Sequence, residues 1–188
     1  MRGRIGTREM ALCALFTALT AVGALIRIPV PVVPFTLQYL FTMLAGLLLG
    51  PELGALSVGL YMLLGLMGLP VFAEGGGFWY VLKPSFGYIP GFILGAYLTG
   101  MLAKGHSGIG RLLAANLTGL LSVYAVGMAY YYVICNYVLD TPIGFWPLFL
   151  YCFLLAVPGD ICLCFVAAAL TRRLRSILGR EAVGRVGI

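Results

Sequence analysis

The chain has 188 residues, of which 62% are hydrophobic and only 10% charged, against about 25% charged in soluble domains. With a mean hydropathy of +1.04, it lacks the polar residues that a soluble fold of this size needs on its surface. This excludes a soluble enzyme, a nucleic-acid-binding domain and a disordered chain, and leaves a polytopic membrane protein of one domain.

A bilayer core takes about 20 apolar residues per helix, and six runs fit, at about 9–27, 35–50, 52–69, 84–104, 111–138 and 144–172. No run alternates at period two, so a β-barrel is not expected. The predicted fold is all-α, a six-helix integral membrane bundle spanning 1–188. The net charge of +6 comes from twelve Lys and Arg, ten of them in three clusters: Arg2, Arg4 and Arg8; Lys104 and Arg111; and Arg172, Arg173, Arg175, Arg180 and Arg185. Six spans put all three clusters on one side, which the positive-inside rule makes the cytoplasm, with Arg27 and Lys83 outside. Both termini are then cytoplasmic. The basic start and small residues near Ala24 also resemble a secretory signal. Removing that segment would put the basic loop and the basic tail on opposite sides, so the first helix is expected to be retained.

The first run carries Ala14-Leu15-Phe16-Thr17-Ala18, a pair of small residues four apart. Such pairs let helices approach closely in lipid, within the bundle or against another membrane protein. Arg27 at its end can snorkel outward. Gln38 opens the second run, where it either caps the helix or bonds a polar ligand. Gly46, Gly50 and Gly54, and again Gly87, Gly91 and Gly95, keep four-residue spacing and predict close packing inside the bundle. Between the third and fourth runs lies Phe72-Ala73-Glu74-Gly75-Gly76-Gly77-Phe78-Trp79-Tyr80-Val81-Leu82-Lys83. Three glycines permit a backbone close to a ligand, and the aromatic residues supply an apolar wall. The same composition also suits an interfacial belt.

The sixth run contains Pro158-Gly159-Asp160. Proline removes a backbone donor and predicts an interrupted helix. A carboxylate at membrane depth is a functional candidate by default. Asp160 either accepts from ligand N–H groups or is satisfied by hydroxyls of the fifth helix, such as Tyr124 or Tyr131. The five cysteines, Cys13, Cys135, Cys152, Cys162 and Cys164, lie scattered in apolar runs without CxxC spacing and predict no metal site. His106 is the single histidine, no embedded nucleophile–base pair can be assembled, and there is no GxxxxGK[ST] phosphate loop. The chain is therefore not expected to be an enzyme or to couple ATP to transport by itself. It conducts passively or a partner supplies the energy. The polar outliers gather toward the outer half, as around a small-molecule pocket.

These segments resemble one family. Pro31-Val32-Val33-Pro34-Phe35-Thr36-Leu37-Gln38, Gly68-Leu69-Pro70-Val71-Phe72-Ala73, Pro84-Ser85-Phe86-Gly87-Tyr88 and Pro158-Gly159-Asp160 follow one another as in BioY, the substrate-binding S component of energy-coupling-factor (ECF) biotin transporters. The resemblance covers nearly the whole chain. It implies high-affinity capture and uptake of biotin, as a ligand and with no cofactor, at a bacterial cell (inner) membrane. It also implies a scaffold subunit, EcfT, and two ABC ATPases as partners. Ala14 and Ala18 would be the scaffold-docking pair, and Asp160 would contact the ureido ring. Three positions differ from other members: many carry a lysine where this chain has Leu163, and some carry an asparagine at Gly75 and an arginine at Ile89. Lys83 is then the expected partner of the biotin carboxylate, with Tyr88 or Gln38 assisting. Phe72, Phe86 and Tyr88 would hold the thiophane ring. Glu74 and the backbone at Gly75 and Gly76 would complete the site. An S component for another small vitamin, and a stand-alone facilitator, are the alternatives.

Overall fold

The computed structural model describes residues 6–28 and 35–184, with side chains at 6–27 and 36–176. Arg2, Arg4, Arg185 and the segment Pro31 to Pro34 lie outside the described residues, as do the side chains of Phe35 and Arg180. The architecture is an all-helical bundle. Helix α1 is Thr7–Leu25, α2 Gln38–Leu49, α3 Pro51–Leu66, α4 Tyr88–Ala103 and α5 Ile109–Tyr137. The sixth span is a composite of α6 (Phe145–Phe149), a π-helical turn (Leu150–Leu154) and α7 (Val157–Gly184). Four segments are long and apolar enough to cross a membrane: Thr7–Leu25, Pro84–Ala103, Ile109–Tyr137 and Phe145–Ser176. Helices α2 and α3 are shorter, with 12 and 16 residues.

Helix α1 begins where Glu9 Oε2 accepts the Gly6 N–H at 2.8 Å. Its buried stripe, Cys13, Phe16, Thr17, Thr20, Gly23 and Ala24, follows the helical period and faces α2 and α3. Thr17 Oγ1 donates to Ser57 O of α3 at 2.9 Å. Beyond α1, strand β1 (Arg27–Ile28) pairs antiparallel with β2 (Phe35–Thr36), Arg27 opposite Thr36. The sequence did not signal this two-residue ladder. Helix α2 occupies the centre, with nine of its residues buried. It ends at Gly50, whose φ of 85° suits glycine alone. Pro51 then opens α3, where its missing N–H costs no helical hydrogen bond.

The glycine spacing is internal packing. A Cβ on Gly46 would lie 2.4 Å from Ala96 O, and one on Gly100 would lie 2.6 Å from the nitrogen of Pro51. On the other face of α4, Gly91 and Gly95 abut Val123 and Gly119 of α5. Gly46→Ala must push α2 off α4, an overpacking cost of about 1–3 kcal/mol. The melting temperature in detergent should fall by about 5 °C. Gly59, with nothing within 4 Å of its Cβ position, is the control expected to tolerate alanine.

The charged ends sort as the spans require. Arg27, Glu74 and Lys83 share one end, where Arg27 donates to Ala73 O and Lys83 pairs with Glu74. At the other end, Arg175 donates to Leu47 O and His106 O, both at 2.6 Å. That guanidinium ties α7 to the C-terminus of α2 and to the α4–α5 loop, where cations favour the helix dipole.

Candidate ligand site

The site lies between the ends of α2, α4 and α5, the sixth span and the α3–α4 connection. Asp160 sits in the first turn of α7, where the preceding turn and Pro158 leave it facing inward. Pro158 is the second residue of α7, and the interruption expected at it falls directly before that helix. The irregularity lies upstream, in the π-helical turn and the turn at residues 155–156. π-turns within spans are frequent at functional sites. Cys152, inside that turn, offers its carbonyl to the Tyr88 hydroxyl at 3.4 Å.

Asp160 is 9% exposed and accepts a 2.5 Å hydrogen bond at Oδ2 from the Tyr124 hydroxyl of α5. Asp160 thus takes a helix 5 hydroxyl, one of the two partners expected from the sequence, and it also lines a cavity. Across that cavity stands Gln38, 4% exposed, whose Nε2 has no hydrogen-bond partner. A buried amide donor left unpaired costs about 1–3 kcal/mol.

The cavity measures about 80 Å³. Its polar groups are Gln38, Asp160, Thr36 and Ser85; its walls are tyrosines 39, 61, 80, 88 and 124 with Ile89, Phe92, Leu120, Val123, Cys152, Ala73 and Ala156. Tyr39 stacks on Phe92 and donates to Asn116 O at 2.8 Å. Tyr88 and Tyr124 meet edge to face at 6.0 Å. Burial pushes the Tyr80 phenol above its ordinary value, so it remains a protonated donor.

The structure brings three of the expected site residues, Asp160, Gln38 and Tyr88, to the cavity. The others stand behind or above it. Phe72 and Phe86 belong to a second buried cluster with Tyr61, Tyr80 and Ile89. Phe72 is wedged beneath Gly65, where a Cβ would lie 2.1 Å from the ring. Lys83 Nζ is 3.0 Å from Glu74 Oε2 and 5.0 Å from the Tyr80 ring centroid, on the half-exposed rim. Gly75 pairs with Phe72, and Gly77 donates to Gly65 O at 2.7 Å. The amides of Gly75 and Gly77 are therefore committed within the loop. Ile89 and Leu163 are buried, Ile89 in the cavity wall. Tyr39 and Tyr61 had no sequence signal, whereas Tyr80 belongs to the aromatic loop that the sequence read as an apolar wall. Ala14 and Ala18 lie exposed on α1 and line a separate apolar groove between α1 and α3.

Residues 1–180 match the sequence profile of the BioY family. The chain belongs to the BioY family. The probable biotin transporter BioY of Lysinibacillus sphaericus is 44% identical over 173 residues, covering 91% of this chain and 88% of that protein. The biotin transporter BioY of Thermotoga maritima is 40% identical over 175 residues, covering 90% and 97%. Among solved structures, the 2.1 Å crystal structure of the S-component for biotin from an ECF-type ABC transporter superposes with a TM-score of 0.76. That match has 30% identity and covers 98% of this chain and all of that one. The BioY membership and the helical bundle make this a multi-pass membrane protein.

Proposed function

We propose that this BioY-family chain captures biotin and is the substrate-specificity subunit, the S component, of an ECF-type ABC transporter. The observation that carries the reading is the buried pair facing one cavity, the Asp160 carboxylate and the unpartnered Gln38 amide nitrogen. Biotin offers two ureido N–H donors, a ureido carbonyl, a carboxylate tail and an apolar sulfur ring. Asp160 accepts from ureido N–H while the Tyr124 hydroxyl holds Oδ2 through one hydrogen bond. Gln38 Nε2 donates to a ligand oxygen. The tyrosine walls and Phe92 cover the ring system, as apolar pockets with few polar contacts do. Energy comes from outside the chain, through a membrane scaffold (EcfT) bearing two ABC ATPases, docked at Ala14 and Ala18. The basic end carrying Lys104, Arg111, Arg172 and Arg173 faces the cytoplasm of a bacterial inner membrane, with both termini there.

Equilibrium binding of biotin to the purified chain, competed with other small vitamins, tests the reading. Folded protein that ignores biotin and takes another vitamin overturns it. The rim supplies a finer test. Lys83, whose Nζ lies over the ring of the cavity-lining Tyr80, is the proposed carboxylate partner, exchanging Glu74 for the ligand. Lys83→Ala is expected to weaken biotin about three- to tenfold, in the range of a partly exposed ion pair, while biotin amide binding barely changes. Equal losses for the two ligands would sink the role of Lys83.

A further inference from the structure

Two concavities in this chain share one wall. The ligand cavity and the α1–α3 groove are separated by Tyr61 of α3 and the short segment Val71-Phe72-Ala73. Tyr61 is 1% exposed and borders both spaces. The segment after it alternates faces as extended chain does: Val71 faces the groove and Ala73 the cavity. Between them Phe72 turns into the aromatic cluster, edge-on to Tyr61 at 5.4 Å.

This partition is tied at both ends. The Tyr61 hydroxyl donates to Val71 O at 3.2 Å. Arg27, just beyond α1, donates to Ala73 O at 2.5 Å. The first tie fixes the groove side to α3, and the second fixes the cavity side to the end of the proposed docking helix. The volume makes movement necessary. Pockets that hold drug-sized ligands measure about 300–1,000 Å³, against the 80 Å³ between these walls. Biotin must displace wall side chains. The cavity's inner side is closed by helices packed through glycine contacts, whereas the partition is a single side chain and three residues of loop.

We infer that the partition of Tyr61 with Val71–Phe72–Ala73 couples ligand occupancy of the cavity to the shape of the α1–α3 groove, with Tyr61 as the positioning residue. The inference rests on the proposed biotin site and scaffold-docking face. It adds that the groove is presented differently by loaded and unloaded protein. By linkage, whatever settles in the groove must change biotin affinity by the same factor.

The test uses the full chain in lipid nanodiscs, with the exposed Cys162 replaced by Ser and a groove thiol introduced by Leu64→Cys. The parent lacking that thiol is the blank. Saturating biotin is expected to change the rate of maleimide modification at position 64 by about fivefold or more, the lower end of typical site-to-site coupling. Tyr61→Phe keeps the ring and removes the tie to Val71. At biotin concentrations that saturate this variant, as its own binding curve fixes them, the change in rate should fall below about twofold. A merely structural role would lower stability and leave the biotin-dependent difference intact. An undiminished difference in Tyr61→Phe overturns the inference, and so does groove reactivity that ignores bound biotin. If Tyr61→Phe fails to fold, the reciprocal measurement decides without it. Maleimide-capped Leu64→Cys protein should bind biotin with an affinity different from that of the uncapped protein, and equal affinities overturn the inference. Folded parent protein that binds no biotin at all removes the proposed function and the inference together.

Discussion

Asp160→Asn is expected to lower biotin affinity about 10- to 100-fold, measured by equilibrium binding to the purified chain. The substitution preserves size and removes the charge. Hydrogen bonds to a charged acceptor contribute about 1.5–3 kcal/mol, and a buried donor left unmet costs about 1–3. The asparagine amide also presents a donor where the ligand presents its own N–H. Asp160 is well placed for so large an effect because it is nearly enclosed and its one protein donor, Tyr124, leaves acceptor capacity on the carboxylate. Tyr124→Phe in the same assay reports the cost of losing the orienting bond, and should weaken binding less than Asp160→Asn does. Unchanged affinity in Asp160→Asn would keep biotin as the ligand and move the ureido contact elsewhere in the cavity, with Gln38 the first candidate.

The second large effect concerns transport. Ala14→Leu combined with Ala18→Leu should reduce biotin uptake by the assembled transporter by tenfold or more. Biotin binding to the isolated chain should survive. Both alanines are exposed on α1 and line the open α1–α3 groove, so their enlargement fills that groove and leaves the buried stripe of α1 in place. Against a partner helix each added isobutyl group forces separation, at about 1–3 kcal/mol apiece. Two such costs give a drop of at least roughly tenfold in association. Uptake by the doubly substituted chain equal to the unmodified one, particularly without ATPases present, would instead make the protein a stand-alone facilitator.

Much of the bundle was legible in the chain because lipid enforces a simple rule: apolar runs cross, and basic residues collect where they end. The Arg172–Arg175 cluster, the Lys104–Arg111 loop and the glycine triplets needed only local reading. Asp160 was legible for the same reason, since an acid in an apolar run requires an explanation wherever it faces. The tyrosine wall was legible only in part. Tyr124 was read beside Asp160 and Tyr80 in the aromatic loop, but Tyr39 and Tyr61 come from other elements, and the convergence of all four is decided by helix rotation that no local pattern encodes. Lys83 and Glu74 stand nine residues apart; only the fold of the three-glycine loop puts them at 3.0 Å. The sixth span was legible in part. Pro158 predicted an interruption, and the helix is interrupted directly before it, in the turn at residues 155–156 and the π-helical turn Leu150–Leu154, where the proline's missing N–H and its ring act on the preceding turn. The π form of that turn had no signal in the sequence.

The central position of α2 has a consequence for how the protein is made. At 12 residues the helix is about 18 Å long, well short of the roughly 30 Å hydrocarbon layer. Its faces are covered by protein instead of lipid. Such a segment has no stable station in the bilayer before its neighbours arrive. It must enter with α3 as a hairpin about Gly50 and Pro51, and wait for α4 to close over Gly46. Biogenesis therefore depends on the insertion machinery holding several unfinished helices at once. Lesions along the glycine face of α4 would be met by quality-control proteases during synthesis, before any question of ligand or partner arises.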